Sequence, residues 1–106
     1  MAEKRQFERA EFDGQATVEW GGKKRAARVR DLSVGGAYVI HAEKPPFGTA
    51  VKLTFQLPAL ADKGPSTITG IVRWVREDGF GVQFGPTGAL DTYGLAEFVA
   101  RKSGGL

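Results

Sequence analysis

The cations nearest the N-terminus have the chemistry expected of an anion-binding segment. Arg5 and Arg9 lie four residues apart in the stretch KRQFERAEF, and Lys4 directly precedes the first of them. A guanidinium presents several N–H donors in a planar fork, so it can bind a phosphate through two hydrogen bonds or stack on an aromatic base. The alternative is that these charges are solvated on a terminal segment and bind nothing.

The positive charge of the chain is concentrated at the same end. The formal net charge is +3 over 106 residues. Residues 1–30 carry eight Lys and Arg against five Asp and Glu, whereas residues 31–106 carry seven of each, so the whole excess lies in the first part. Arg28 and Arg30 share one face of a predicted strand there, and either extend this basic surface or are simply solvated. The distribution favours an anionic partner near the N-terminus.

A second polar cluster occurs in the stretch DLSVGGAYV. Asp31 offers a carboxylate and Ser33 a hydroxyl, and Gly35 and Gly36 follow at the entry to an apolar run. Adjacent glycines let a ligand approach the backbone closely. The same residues could also form a tight turn in which the Asp and Ser side chains bind their own backbone. The cluster alone leaves both interpretations open.

The composition argues against an enzyme and against a metal protein. The chain has no cysteine and a single histidine, His41, at the end of an apolar run. Thiolate zinc sites and cysteine nucleophiles are therefore excluded, and a histidine-rich metal site has no support. No GxxxxGK[ST] sequence occurs, and no pair of carboxylates stands out as a general acid and base. We predict neither catalysis, nor a cofactor, nor a bound metal.

Alternating apolar residues predict the elements that must position these clusters. In AVKLTFQLP, Ala50 to Pro58, apolar and polar residues alternate in the pattern of a strand with one buried face. The other predicted strands are Gln15–Trp20, Arg25–Leu32, Gly36–His41, Ser66–Glu77 and Gly79–Phe84. Six short strands in hairpin order predict an all-β fold, a six-stranded antiparallel barrel, because closure removes the edges that an open sheet would expose.

Turn-forming residues and a change of period complete the predicted architecture. Gly21-Gly22 and Asp78-Gly79 mark turns, and the stretch Pro58 to Ser66 is predicted as a surface loop. Apolar residues at helical spacing predict a C-terminal α-helix from Asp91, acting as its N-cap, to Lys102.

The chain is predicted to form one domain behind a short leading segment. We predict a mobile N-terminal segment over residues 1–13 and a barrel domain with its terminal helix over residues 14–103. No apolar stretch is long enough to cross a bilayer, and the N-terminus lacks the apolar core of a secretory signal. These features predict a cytoplasmic protein without membrane contact.

The two polar clusters together resemble the signature of a known family. An RxxxR sequence, Arg5 to Arg9, lies ahead of the first predicted strand, and a DxSxxG sequence, Asp31 to Gly36, follows the second. In this order, on a six-stranded barrel with a C-terminal helix, they resemble the PilZ domain family over essentially the whole chain. PilZ domains are bacterial receptors for cyclic di-GMP (c-di-GMP). The resemblance therefore implies a stand-alone c-di-GMP-binding adaptor that signals to a separate, unidentified protein partner.

The resemblance also implies which residues bind the nucleotide. They are Arg5, Arg9, Asp31, Ser33 and Gly36. Arginine can bind a phosphate or the O6/N7 edge of guanine, and Asp31 can accept hydrogen bonds from guanine N1 and N2. We expect the ligand to draw both arginines onto the Asp31 to Gly36 corner, so that the N-terminal segment closes as a lid.

Further residues could take part in the same site. They are Lys4, Gly35, Trp74 and Gln83. A cation at Lys4 resembles sequences that bind an intercalated ligand dimer, so one or two ligands per chain stay open. Trp74 has a competing interpretation, because Val72 and Trp74 share a face of one strand and this predicts a core position.

Two other functions compete with nucleotide binding. Small β-barrels also bind RNA or single-stranded DNA, usually through exposed aromatic residues on one face. Here the aromatic residues mostly fall on inferred core faces, namely Phe55, Phe80, Phe84 and Trp74, and this disfavours a nucleic-acid partner. A PilZ-like adaptor that has lost the nucleotide and acts through protein contact is the second alternative, although both motifs are intact.

Overall fold

The computed structural model describes residues 9–102, and within this range the chain forms six β-strands and one α-helix. The strands are β1 (Ala10–Trp20), β2 (Lys23–Leu32), β3 (Gly36–Ile40), β4 (Ala50–Phe55), β5 (Ser66–Val75) and β6 (Gly79–Phe84). The helix is α1 (Ala89–Lys102), and a short 3-10 helix, Pro58–Lys63, connects β4 to β5.

The strands close into one antiparallel barrel in the order β1-β2-β3-β6-β5-β4, with β4 pairing back onto β1. Hairpins join β1 to β2, β2 to β3, β4 to β5 and β5 to β6. The pairing of β3 with β6 and of β1 with β4 joins the two halves into a barrel. The predicted all-β barrel with a C-terminal helix is confirmed.

The core follows from the period of two in the strands, because successive side chains of a strand point to opposite faces. In β4, Val51, Leu53 and Phe55 are buried, whereas Ala50 and Lys52 are exposed. The inward residues of the other strands join them in one continuous apolar cluster, which also includes residues of α1.

Helix α1 packs on the 3-10 helix and on β1. Its buried residues include Leu95 and Phe98, while Leu60 is the buried residue of the 3-10 helix. The ring of Phe12 lies edge-on to the rings of Phe55 and Phe98, at centroid distances of 5.8 and 5.3 Å. The start of β1, which follows the arginine motif, is thereby fixed to the core.

The first strand begins earlier than its apolar pattern indicated. β1 starts at Ala10, not at Gln15, so residues 10–13 of the predicted N-terminal segment belong to the strand, with Ala10 and Glu11 paired to β2. The pair Asp13-Gly14 resembles a turn in the sequence, and Asp13 has a left-handed φ of 51°, but a bulge accommodates this conformation inside the strand. The mobility of residues 1–13 stays a prediction, and residues 1–8 lie outside the described part of the chain.

The other boundaries differ less. Strand ends deviate by at most three residues from the prediction. The helix begins at Ala89, so Asp91 lies in its first turn and the prediction that Asp91 is the N-cap was wrong. There its carboxylate still suits the positive end of the helix dipole. The predicted surface loop from Pro58 contains the 3-10 helix, and Leu60 of that helix is buried in the core.

Register shifts interrupt three of the strand pairings in the described part of the chain. They lie between Glu11 and Gly14 of β1, between Val29 and Asp31 of β2, and between Val72 and Trp74 of β5. A β-bulge of this kind inserts an extra residue into one strand and re-aims the side chains beside it.

The bulge in β5 reverses the prediction that Trp74 lies in the core. Val72 and Trp74 would share a face in a regular strand. Arg73 is the extra residue, so Trp74 pairs with Gly81 while Val72 pairs with Val82. Val72 is fully buried, but Trp74 lies outside the barrel and is 38% exposed. The core prediction for Trp74 was wrong because alternation holds only where the ladder is regular.

Candidate functional site

Four paired positions form a row across the outer surface of the barrel. Asp31 of β2 pairs with Tyr38 of β3, Tyr38 pairs with Gly81 of β6, and Gly81 pairs with Trp74 of β5. Residues that are opposite each other on neighbouring strands point to the same face of a sheet. We call these four residues the outer row. The bulges in β2 and β5 place its two ends outside the core.

Arg9 connects the N-terminal motif to the outer row. Its Nη1 donates a hydrogen bond of 2.7 Å to Oδ1 of Asp31. The side chains of Arg9 and Asp31 are 23% and 20% exposed, so the pair is partly shielded from water and still accessible. Cζ of Arg9 also lies 6.0 Å from the ring centroid of Trp74, at the outer limit of a cation–π contact. A guanidinium, a carboxylate and an indole therefore meet at one place.

Trp74 is positioned by the glycine opposite it. A Cβ placed on Gly81 would lie 2.9 Å from Cδ2 of the Trp74 indole, which is closer than two such atoms can approach. The indole therefore packs directly on the backbone of β6, because Gly81 has no side chain to hold it away. Gly81 is buried and Trp74 is 38% exposed, so part of the indole surface is open to a ligand.

Arg30 and Tyr38 form a second layer beside Asp31. Cζ of Arg30 lies 4.2 Å from the ring centroid of Tyr38. The same side chain lies between two carboxylates: its Nε is 3.7 Å from Oδ2 of Asp31, and its Nη1 is 3.6 Å from Oδ2 of Asp78. The Tyr38 hydroxyl donates a hydrogen bond of 2.6 Å to Oδ1 of Asp78. Tyr38 is buried but lies outside the core cluster, since it is covered from the outside.

The pKa values of Tyr38 and Asp78 reflect the same contacts. Burial and then the hydrogen bond to Asp78 raise the pKa of Tyr38 to about 12. The Tyr38 hydroxyl, acting as a donor, is the first cause that lowers the pKa of Asp78 below its usual value, and Arg30 and Arg76 add to the effect. At neutral pH Tyr38 is therefore a neutral donor and Asp78 an anion, which is the charge state that attracts Arg30.

The DxSxxG segment forms a tight turn next to the outer row. The backbone N–H of Ser33 donates to the carbonyl of Gly36 at 2.8 Å, and the N–H of Gly35 donates to Oγ of Ser33 at 3.1 Å. Ser33 is 4% exposed and its Oγ also lies 3.4 Å from the Gly36 carbonyl oxygen. A Cβ on Gly36 would collide with the carbonyl oxygen of Val82. The glycine is thus required where β3 approaches β6, whatever the ligand.

Gln83 lies on the strand opposite this turn. It pairs with Gly36 across β3 and β6, and its Oε1 accepts a hydrogen bond of 2.8 Å from Nε of Arg73. Arg73 is the extra residue of the β5 bulge and is exposed. The bulge therefore contributes both an indole and a cation to this side of the barrel.

The structure brings together only some of the residues that the sequence predicted. Arg9, Asp31 and Trp74 meet at the outer row, and the Asp31 to Gly36 segment continues from it as a turn. Arg5 and Lys4 lie outside the described residues. The roles of all of these residues in binding stay predictions.

The sequence did not indicate the residues that hold the site residues in position. The residues that it missed are Tyr38, Asp78 and Gly81, and Arg30 was seen only as part of a basic strand face. Tyr38 and Gly81 look like ordinary members of strands. Their importance follows from cross-strand pairing, which a single sequence does not specify.

Two further findings limit the chemistry of the described residues. Between residues 9 and 102, no group of three or more His, Cys, Asp or Glu side chains could hold a metal ion. In the same range, no helix is long and apolar enough to cross a membrane.

Comparison with known proteins identifies the family. The model of the PilZ domain matches residues 3–99, which span both sequence motifs, the barrel and most of the helix. The chain therefore belongs to the PilZ domain family. No curated protein sequence matches it.

Solved structures share the fold at low sequence identity. The inhibitor of motility MotI/DgrA of Bacillus subtilis matches with a TM-score of 0.78 and 19% identity, over 96% of this chain but 52% of that one. The PilZ domain of YcgR from Escherichia coli, solved with c-di-GMP, matches with a TM-score of 0.73 and 10% identity, over 95% and 92% of the two chains. PlzA of Borreliella burgdorferi, in complex with c-di-GMP, matches with a TM-score of 0.66 and 20% identity, over 91% and 41%.

Proposed function

We propose that this protein is a c-di-GMP receptor that binds the nucleotide at the outer row and acts as an adaptor for a separate protein. The observation that carries the proposal is the meeting of Arg9, Asp31 and the exposed indole of Trp74 at one place. Membership of the PilZ family supports it, and so do the YcgR and PlzA structures, which were solved with c-di-GMP.

The proposed site offers a partner for each part of the ligand. C-di-GMP carries two phosphates and two guanine bases. The guanidinium of Arg9, joined by Arg5 of the same motif, binds a phosphate or the O6/N7 edge of a guanine. The carboxylate of Asp31 accepts hydrogen bonds from N1 and N2 of guanine. The open surface of Trp74 stacks on a base, a contact of roughly 1–3 kcal/mol in single-stranded nucleic-acid complexes.

Binding in this mode exchanges the partners of Arg9 and Asp31. Without ligand, each satisfies the other through the bond of 2.7 Å. With ligand, Arg9 turns to a phosphate or guanine oxygen and Asp31 accepts from the guanine donors. Each group then keeps a charge-assisted hydrogen bond, so neither is left unpaired and partly buried.

The DxSxxG turn supports the site by shape. Its Ser33 Oγ accepts the backbone N–H of Gly35, and the close approach of Gly36 to β6 leaves no room for a side chain. We propose that Ser33, Gly35 and Gly36 place the turn within reach of the ligand, with Gln83 opposite it. Lys4 adds a cation when two stacked ligands are bound, because two dianions need more neutralising charge.

Because Arg9 already lies against Asp31, the closure in this proposal concerns the rest of the arginine segment, which carries Arg5 over the ligand. Closure creates the surface that a partner recognises. The protein is a cytoplasmic bacterial adaptor without catalytic activity. Backbone amide exchange tests the closure: exchange at residues 3–12 slows when c-di-GMP saturates the protein. Unchanged exchange at saturation would rule out the lid and leave the receptor function standing.

Isothermal titration calorimetry tests the receptor function itself. We expect saturable binding of c-di-GMP, at one or two molecules per chain. GMP should bind much more weakly because it has only one base and one phosphate. Cyclic di-AMP should also bind much more weakly, since adenine lacks the N1 and N2 donors whose hydrogen bonds Asp31 accepts. No heat at high c-di-GMP concentration, with protein shown to be folded by circular dichroism, would refute the proposal. It would leave a PilZ domain that acts through protein contact, or through nucleic acid if an oligonucleotide binds instead.

A further inference from the structure

We propose that Arg30 is a positioning residue of the nucleotide site, which holds the Asp31 carboxylate in place while Arg9 turns to the ligand. This inference rests on the proposed function and adds a residue to it outside both sequence motifs. Its basis is the position of Arg30 between two carboxylates, on the face of a buried tyrosine.

The bulge in β2 makes this position possible. Val29 and Leu32 are core residues. In a regular strand, two inward residues are separated by a single outward residue, but here two residues separate them. The extra residue is Arg30, so Arg30 and Asp31 both lie outside the barrel, next to each other. Arg30 therefore reaches Oδ2 of Asp31, at 3.7 Å, while Arg9 occupies Oδ1.

Arg30 is itself held from below. Its guanidinium lies on the Tyr38 ring at 4.2 Å, and Nη1 faces Asp78 at 3.6 Å. The Tyr38 hydroxyl fixes the Asp78 carboxylate through its bond of 2.6 Å. Each ion pair of Arg30 is weak alone, because the side chain is 53% exposed and solvent screens the charges. Together the ring and the two carboxylates restrict the guanidinium to one position, which a single exposed ion pair does not achieve.

The exchange of partners explains why Asp31 needs a second cation. When Arg9 leaves Oδ1, the carboxylate loses its hydrogen-bonded partner. Arg30 then remains beside Oδ2, and Glu11, which pairs with Asp31 across β1 and β2, carries the same charge as Asp31. Arg30 therefore keeps the carboxylate oriented toward the guanine donors and offsets the negative charge of Glu11.

Arg28 provides a matched control. It lies two residues before Arg30 on the same strand and is exposed in the same way. Its guanidinium pairs with Asp13, and it has no contact with Asp31 or Tyr38 among the interactions of the described residues. Arg28→Gln and Arg30→Gln remove the same charge from the same strand, so any difference between them reflects position.

The test compares c-di-GMP affinity by calorimetry in the wild type, Arg28→Gln, Arg30→Gln, Asp78→Asn and the Arg30→Gln/Asp78→Asn double variant. We expect Arg30→Gln to weaken binding about 2- to 5-fold, which is the scale of one exposed charge interaction, and Arg28→Gln to weaken it less than about 2-fold. Asp78→Asn should cause a smaller loss, and the double variant should bind like Arg30→Gln alone, because Asp78 acts only through Arg30.

A ligand-free readout separates positioning from direct contact with the nucleotide. The side-chain NMR resonances of Arg9 report its bond to Asp31, and we expect them to shift in ligand-free Arg30→Gln but not in Arg28→Gln. Equal affinities of Arg30→Gln and Arg28→Gln would overturn the inference alone, and so would losses that simply multiply in the double variant. Absence of binding by the wild type would instead overturn the proposed function, and the inference with it.

Discussion

Two places in the molecule combine the same three groups, an arginine, a carboxylate and a tryptophan. At the outer row they are Arg9, Asp31 and Trp74. Near the β1–β2 turn, Arg25 of β2 donates to both carboxylate oxygens of Glu43, at 2.9 and 3.1 Å, and lies on the Trp20 ring at 3.5 Å. We call this second group the Arg25 clasp, because it ties the β1–β2 turn to the segment after β3.

The two places differ in how many donors of the arginine are used. Arg25 also donates to the backbone carbonyls of Trp20 and Lys23, at 3.0 and 2.9 Å. Among the described residues, Arg9 makes a single side-chain hydrogen bond, and its distance to the indole is 6.0 Å. A guanidinium whose donors are filled by the protein stabilises the fold, whereas one with a single such bond among the described residues, beside an open indole, is better suited to a ligand contact. Residue type alone does not separate these two uses.

The largest expected effect is on ligand affinity at the open arginine. Arg9→Ala should weaken c-di-GMP binding by about 10- to 100-fold, which is the range for losing a charge-assisted hydrogen bond to an ionised group. Arg25→Ala should bind like the wild type, because its donors are already used. Calorimetry on both variants makes the comparison, and equal losses in the two would contradict it.

The next effect is on stability at the clasp. Arg25→Ala should lower the free energy of unfolding by about 1–2 kcal/mol through the lost backbone hydrogen bonds and ring contact. For a domain of this size, each kcal/mol corresponds to roughly 4–8 °C in Tm. Thermal unfolding followed by circular dichroism measures it. Arg9→Ala, which removes one side-chain hydrogen bond within the described range, should show the smaller shift. A larger loss of Tm in Arg9→Ala would reverse the roles that we assign.

The stability difference should also depend on pH. The hydrogen bond from Arg25 lowers the pKa of Glu43 below 4.5. A lowered pKa means that the contribution of the pair is present above about pH 4.5 and is lost as the pH falls through the lowered value. The Tm difference between the wild type and Arg25→Ala should therefore shrink from about pH 6 to about pH 3. A difference that stays constant over this range would mean that Glu43 adds nothing to the clasp.

The smallest expected effect sharpens the role of the open indole. Gly81→Ala places a Cβ against the Trp74 ring and tilts it away from the surface of β6. We expect a loss of c-di-GMP affinity of about 3- to 10-fold, a fraction of the stacking energy. Gly85→Ala is the control, since its Cβ would meet only ordinary contacts, the nearest at 3.7 Å. Unchanged affinity in Gly81→Ala would show that Trp74 does not stack on the ligand.

The regular parts of the fold could be predicted from the sequence, and the reason is visible in β4. Its alternation of Val51, Leu53 and Phe55 with polar residues requires one buried face, and the strand ends three residues before the predicted limit. The barrel then followed from the number and order of such strands. The arginine and aspartate motifs were recognised by their types and spacing.

The site itself was less accessible, because it depends on pairing between distant strands. Trp74 was assigned to the core by alternation, which the extra residue Arg73 interrupts. Tyr38 and Gly81 became part of the site only through their cross-strand partners. A bulge depends on the partner strand as much as on its own sequence, so single-sequence alternation cannot place it.

The bulges at Arg30 and Arg73 also describe a route by which such a site can change. On either side of each bulge the ladder is continuous, so Val29 and Asp31 face adjacent residues of β3, and Val72 and Trp74 face adjacent residues of β6. Deleting Arg73 would therefore leave an ordinary ladder between β5 and β6, with the core residues on both sides still facing inward. Deleting Arg30 would do so only toward β3, because Phe12 and Asp13 of β1 lie opposite Arg30 on the other side. A protein of this fold can therefore gain or lose a surface arginine by a one-residue insertion or deletion at a bulge such as that of Arg73. Elsewhere in a strand, the same mutation would move the core side chains that follow it to the outer face.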